Sequence, residues 1–494
     1  MNAKGPFTVK KTTSKNAVIV SLFAITMTAL TPFVYGSDVI EKNLLKSMVV
    51  KGEPITSASI QQRMQDFSVP GVSIAVIQDG KIVWAKGYGL ANADSQRQVD
   101  TETLFQAGSI SKPIAALSAL KLVEEGKLTL DSDVNEHLKQ WQLTGPELST
   151  DTHVSLRQLL THTAGLNVHG FPGYDTGSEL PTTTGVLKGE GNTDAVIVKQ
   201  VPGTNWQYSG GGYTVMQLIV EQLTGQSFAQ YTDAQIMRPM GMTLSTYQHD
   251  LPVSLKLQAS AAFNQEGDMY DVIYNDYPEK AAAGLWTTPT DIAKYALHMQ
   301  AIMQGKKDGV LQKAIVEQMF TAHENNWGLG PEMFEFNGKQ VFGHGGKNLG
   351  FTNNFRAAVN QGGGVIVMAN GDNANKLNRE IMITLSEHYK LGVAEQRVIE
   401  AIALSDEDLK NVQGNYKMLT EIGFDGDFIA NLSVSNGNLF VTLPGDDNPA
   451  RLVPTAKSRF TSLESGYRYD FNTDQSGKIV GMTVAERFEL EKLD

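Results

Sequence analysis

Ser109 and Lys112 stand three residues apart in "QAGSISKPIAALSALKLVEEG" (106–126), after an Ala-Gly pair and at the head of an apolar-spaced run that predicts a helix from Ser109 to Gly126. Helix starts favour serine as a cap but prefer acidic residues to cations in the first turn, so folding gives no reason for the lysine. Chemistry gives one. Residues three apart are neighbours on a helix, and a helix N-terminus adds unpaired N–H groups and positive potential at the same spot. A serine hydroxyl is a poor nucleophile near neutral pH, but a lysine whose pKa is lowered by burial or neighbouring cations can take its proton. The Ser109 N–H can then help hold the oxyanion of a tetrahedral intermediate. S-x-x-K arises by chance about once or twice in a chain of this length. Ser118-Ala119-Leu120-Lys121 repeats it, but mid-helix and turned roughly opposite Ser109 at about 100° per residue, so it is read as incidental.

Two further stretches offer partners. "PGTNWQYSGGGYTV" sets Tyr208 between a Pro202-Gly203 turn and a Gly-rich bend that opens a helix, where its phenol can shuttle protons. "FGHGGKNLGF" puts His344 at the end of a strand, before two glycines that let a ligand approach the backbone closely. In this order the three stretches resemble the serine β-lactamase and penicillin-binding protein family, in its class C and D-peptidase branch. That branch carries S-x-x-K, then Y-x-N, then K-T-G or H-x-G; here stand Ser109-Ile110-Ser111-Lys112, Tyr208-Ser209-Gly210 and His344-Gly345-Gly346. "LLTHTAGL" (159–166) and "AAAGLWTTPTDIAKY" (281–295) look like it too, and the resemblance spans about residues 55–390. It implies that Ser109 is acylated while Lys112 and Tyr208 share general-base and general-acid duty. It also implies that His344, Gly345, Gly346 and Lys347 line the substrate cleft. His344 would help bind a carboxylate or carbonyl, and the Ser109 and Lys347 N–H groups would form the oxyanion hole. Gly210 departs from the usual Asn, and His344 from the usual Lys, a form that resembles D-aminopeptidases and esterases of the branch more than β-lactamases. His162, in "THTAG", is read as structural.

These residues need a sheet and helices to hold them. "GVSIAVIQ" (71–78), Asp79-Gly80 and "KIVWAKGYG" (81–89) predict a β-hairpin; "VSLRQLLTHT" (154–163) and "GGYTVMQLIVEQLTG" (211–225) predict helices. Strands return with "KQVFGHGG", "FTNNFRAAVN" and "GGVIVMANG", and a helix-like segment closes the region over about 374–391. Strands at both ends with helices between predict an α+β fold: one antiparallel sheet, flanked by helices, with an inserted helical subdomain, as the resemblance to the β-lactamase/transpeptidase fold also implies. "TTTGVLKGEGNTD" (182–194) reads as a long exposed loop. From 396 to 494 short strands, with turns at Asn436-Gly437 and Ser476-Gly477, predict a small all-β unit, a barrel or sandwich, which resembles the lipocalin-like modules appended to some of these peptidases. The expected division is 1–36, 37–395 and 396–494.

The chain of 494 residues is 41% hydrophobic and 19% charged, ordinary for a globular protein with room for a large core. Its net charge of -12 argues against nucleic-acid partners. Cysteine is absent, which excludes thiol catalysis, Cys-zinc sites and disulfides. Lys4, Lys10, Lys11 and Lys15 precede the apolar run 17–30, too short for the roughly 20 residues of a membrane span; residues 1–36 therefore read as a signal peptide cleaved after Gly36, with a periplasmic or secreted product and no stable membrane span. No G-x-S-x-G elbow, G-x-x-x-x-G-K-[ST] loop or H-E-x-x-H pair occurs, and neither cofactor nor metal is called for. The expectation is an exported serine hydrolase acting on amide or ester bonds of a small-molecule or peptide substrate through an acyl-enzyme. The D-amino-acid peptidase, carboxypeptidase or esterase reading leads. A β-lactamase and a non-catalytic penicillin-binding or cell-wall-peptide sensor are the alternatives.

Overall fold

Asp79 and Gly80, both at positive φ (51° and 75°), turn the chain between β1 (Gly71–Gln78) and β2 (Lys81–Asn92), as a two-residue Asp-Gly hairpin loop requires. The computed structural model describes residues 36–149, 151–306, 309–420, 428–445 and 449–493. The expected signal peptide, 1–36, lies outside them save for Gly36, which begins the short helix Gly36–Lys42. Among the described residues no helix is long and apolar enough to cross a membrane.

After β2 and the short β3 (Arg97–Gln98) the chain enters its helical part, with α1 (Ser111–Glu124), α2 (Leu156–Thr161), α3 (Gly210–Thr224) and α4 (Pro289–Met303). It returns to the sheet as β4 (Glu332–Phe336), β5 (Lys339–Asn348), β6 (Phe351–Ala358) and β7 (Gly364–Ala369), followed by α5 (Asn375–His388). The order is β4-β5-β6-β7-β1-β2-β3, every neighbouring pair antiparallel. Gly364 faces Ile77 and Ala369 faces Val72, so the sheet is completed by segments from both ends of the region. Alternation along β1 sends Ala75 and Ile77 into the large core shared with α1, α3 and α4, and Val72, Ile74 and Val76 into a second core with α5. Both faces are covered, which is why the central strands are continuously apolar.

Two expectations are corrected. Residues 183–188 within the expected loop form a helix, capped by the Thr182 hydroxyl on the Gly185 N–H at 3.0 Å and anchored by buried Val186 and Leu187. β4, which the strand reading omitted, forms the sheet edge beside β5.

The C-terminal strands close into an eight-stranded antiparallel barrel: β8 (Gly414–Met418), β9 (Ile429–Ser435), β10 (Asn438–Thr442), β11 (Ala450–Ala456), β12 (Arg459–Ser462), β13 (Arg468–Thr473), β14 (Ile479–Val484) and β15 (Phe488–Lys492). Tyr416 opposite Lys492 makes the closure. The helix Asp406–Val412 packs into the barrel core through Leu409 and Val412, and the Tyr416 hydroxyl donates to the Val412 carbonyl at 2.8 Å. Two short strands, Met48–Val50 and Arg397–Ile399, pair in parallel where barrel and sheet region meet.

Candidate active site

The turn that carries Ser109 is held from three sides. Phe105–Gln106 pairs with Trp286–Thr287, and the Ala107 N–H donates to the Leu285 carbonyl at 2.8 Å. The Asn353 side-chain amide donates to the Gln106 carbonyl at 2.8 Å. Gly108 sits at φ +55°, and a Cβ there would lie 2.5 Å from the Lys347 nitrogen. At Gly346 a Cβ would overlap the Ala107 carbonyl oxygen. The two glycines let β5 and the turn meet backbone to backbone.

Ser109 lies in the 3-10 turn Gly108–Ile110 rather than opening the α-helix, which begins at Ser111. The turn still leads straight into α1, so Lys112 comes back over the serine: its Nζ is 3.1 Å from Ser109 Oγ and donates to the Ala282 carbonyl at 2.8 Å. Lys112 is 2% exposed. Burial, unopposed by any carboxylate, lowers its pKa to about 7, so near neutrality a large share of the amines are unprotonated. The other S-x-x-K pair is engaged elsewhere, with Ser118 Oγ 2.9 Å from Thr232 Oγ1 and Lys121 paired with Glu124 at 2.7 Å.

Tyr208 is held by His162. The Gln207 N–H donates to the His162 carbonyl at 2.8 Å, and the Ser209 N–H donates to His162 Nδ1 at 3.0 Å. The His162 ring lies over the phenol ring, centroids 4.2 Å apart. His162 reaches this place because it ends α2 in the left-handed conformation, φ 62°. Burial, with the Lys112 charge next in effect, keeps its imidazole neutral. Burial likewise raises the Tyr208 pKa, partly offset by the nearby Ser109 hydroxyl, so the phenol stays protonated. Lys112 Nζ sits 4.9 Å from the Tyr208 ring centroid.

On β5, burial first and Lys112 second push the His344 pKa down to about 3. Its Nδ1 is hydrogen-bonded to the Gly345 carbonyl, which can only accept, so Nδ1 carries the proton and Nε2 is a bare acceptor. That Nε2 is buried and unpartnered. Ser109, Lys112, Tyr208, His344, Gly345, Gly346 and Lys347 all line one cleft of about 490 Å³. The Lys347 side chain is exposed, with Nζ 3.6 Å from Asp372 Oδ1.

The cleft explains Gly210. A Cβ there would come 3.0 Å from Phe171 and 3.1 Å from the His169 carbonyl, since the segment 168–171 crosses the start of α3, accepting the Gly210 and Gly211 N–H groups on the His169 and Val168 carbonyls. His169, its ring 5.0 Å from that of Tyr208, lines the same cleft as Gly210. Sequence reasoning also missed Trp206, Trp327 and Glu332, which line the same cleft. Trp206 and Trp327 pack with centroids 5.5 Å apart. None of these has a spacing that betrays it; the one available signal is the strand alternation of "EMFEF" after Trp327.

A serine and a lysine in hydrogen-bonding contact, beside a buried phenol and a strand edge, on an antiparallel sheet with inserted helices, define a serine hydrolase. The chain belongs to the Beta-lactamase family, whose model matches residues 57–384. It is 24% identical over 364 residues to Protein flp of Staphylococcus aureus (strain N315), covering 70% of this chain and 67% of that protein. It is 28% identical over 270 residues to Esterase EstB of Burkholderia gladioli, covering 52% and 67%. Among solved structures, the octameric penicillin-binding protein homologue from Pyrococcus abyssi matches with a TM-score of 0.59 at 22% identity, over 88% of this chain and 98% of that one. The D-amino acid amidase from Ochrobactrum anthropi SV3 matches with a TM-score of 0.56 at 19% identity, over 67% and 96%.

Proposed function

We propose that the protein is an exported hydrolase that cleaves amide or ester bonds through an acyl-enzyme on Ser109, acting on amino-acid amides, peptides or esters. The observation that carries this is the buried Lys112 amine 3.1 Å from Ser109 Oγ, with its pKa near 7. In this reading the neutral Lys112 takes the hydroxyl proton as Ser109 Oγ bonds to the substrate carbonyl carbon. The Ser109 and Lys347 N–H groups hold the oxyanion. Tyr208, kept protonated by burial, gives its proton to the departing nitrogen or oxygen and regains one from Lys112. Water then attacks the acyl carbon with the same groups in reverse roles, releasing the acid and freeing Ser109. A neutral His344 where β-lactamases place a cation leaves the carboxylate of a lactam without a charged partner, which favours peptidase, amidase or esterase work over lactam hydrolysis.

Intact-protein mass spectrometry after treatment with a fluorophosphonate should show one adduct, absent in Ser109→Ala and kept in Ser118→Ala. An adduct that survives Ser109→Ala sinks the assignment. Export is tested by N-terminal sequencing of the protein from the periplasm or medium, with Ser37 the expected first residue.

A further inference from the structure

The fixed charge of the cleft is the opposite of what a carboxylate-bearing substrate needs. Glu332, at the start of the edge strand β4, pairs with Gly343 through its backbone and lines the cleft, and its carboxylate forms no ion pair or hydrogen bond with any described residue. Burial raises the Glu332 pKa, partly offset by Arg356, which lies at longer range with its guanidinium 4.3 Å from the Phe334 ring centroid, so a cation at this carboxyl would also favour its charged form. The exposed Lys347 cation is already drawn toward Asp372. Lys112 must be neutral to act as a base, so it neither attracts an anion nor repels a cation in the reactive form.

Two further features point the same way. His344 is 4% exposed and presents an unpartnered Nε2 that, by its tautomer, accepts hydrogen bonds only. It can receive an N–H of a substrate but offers nothing to a carbonyl or carboxylate oxygen. Trp206, Tyr208 and Trp327 bring three aromatic rings to the same wall, all within 6.4 Å of one another by centroid. Aromatic faces beside an unpaired carboxylate suit a cation, which gains from the ring quadrupoles and from the charge together.

We propose that the cleft recognises a substrate bearing a free ammonium group next to the scissile carbonyl, held by Glu332 against Trp206 and Trp327, and disfavours substrates with a carboxylate there. The inference rests on the hydrolase reading of the site and gives that reading its substrate class: amino-acid amides, esters or peptides with an unblocked amine.

The test compares kcat/KM for alanine p-nitroanilide, in both enantiomers, with its N-acetyl and N-succinyl counterparts. The wild-type protein should favour the free amine over the N-acetyl form by about tenfold or more, the scale of one charge-assisted hydrogen bond, and accept the N-succinyl form least. Glu332→Gln should bring the amine to N-acetyl ratio within about threefold of one, and Glu332→Lys should favour the N-succinyl form over the amine. The ratio rather than either rate is the readout, so a general loss of activity does not count; if the variants fail to fold, the wild-type ratio decides. A second measurement is independent of turnover: calorimetric binding of benzylammonium, with benzyl alcohol as control, to Ser109→Ala with and without Glu332→Gln. A protein that turns over none of the substrates yet binds benzylammonium through Glu332 would defeat the hydrolase reading, and the substrate class with it, while upholding the ammonium site at Glu332. A wild-type ratio near one, a preference that Glu332→Gln leaves unchanged, or, where nothing is turned over, benzylammonium binding that ignores the substitution, overturns it.

Discussion

Burial acts on the ionisable groups around Ser109 in one direction: it lowers Lys112 and His344 and raises Tyr208, so all three favour their neutral forms. For Lys112 the consequence is a pH profile. Below its pKa of about 7 the amine is protonated and cannot accept the Ser109 proton; above it the base is free. The rate of Ser109 acylation should therefore climb as pH rises through about 7 and then level, while His344, titrating near 3, adds no limb near neutrality. An acylation rate that falls as pH rises through this range would exclude Lys112 as the base. Lys112→Arg keeps a cation but cannot deprotonate, so turnover at neutral pH should drop on the order of 10² or more, measured with a small ester. The Ser109–Lys112 contact was legible in the sequence because it is made within one turn. Glu332, Trp206 and Trp327 were not, because a strand edge and two loops bring them together and no local spacing encodes that.

At the scale of elements, the site depends on β5 lying against the turn that carries Ser109, and two glycines permit it. Gly346→Ala would drive a methyl group into the Ala107 carbonyl, so the strand and the turn must part. A shift of about 1 Å in such a site costs about 10²-fold in kcat/KM. Gly345→Ala is the contrast: its added methyl meets nothing nearer than 4.0 Å, and the melting temperature should stay within about 2–4 °C of wild type, the effect of roughly 1 kcal/mol. Equal melting temperatures and equal kcat/KM for Gly346→Ala and the wild type would refute the close approach. The elements themselves were unevenly legible. The first hairpin announces itself through Asp79-Gly80 between apolar runs, and α1, α3 and α5 through length. The helix at 183–188 is hidden by Gly185 within it and Gly189 after it, and it is held by the Thr182 cap and by buried Val186 and Leu187. β4 hides because one residue of its five, Met333, is buried.

At the scale of the molecule, the question is what the barrel does for a site whose lining residues all precede it. Its core, from Leu409 to Leu490, is a separate cluster from the two that sandwich the sheet, which supports the proposal that the segment after about 395 folds alone. The connection is narrow and specific. Met48, Val50 and Ile399 pack on Val453 of β11, and Arg451 grips Glu53 through two hydrogen bonds of 2.8 and 2.6 Å. Arg397–Ile399 belongs to this joint by pairing with Met48–Val50, so a cut after residue 402 leaves that strand pair in place. A protein ending at 402 should fold and accept a fluorophosphonate on Ser109 at a rate near that of the full chain. Turnover of peptides longer than the cleft should change, because binding far from the reacting carbonyl helps to position it. Residues 403–494 expressed alone should give a β-rich circular dichroism spectrum with a cooperative thermal transition. If the shortened protein is folded yet Ser109 takes no label, the acylation site itself requires the barrel, and the two parts form one functional unit instead of a hydrolase carrying an appendage.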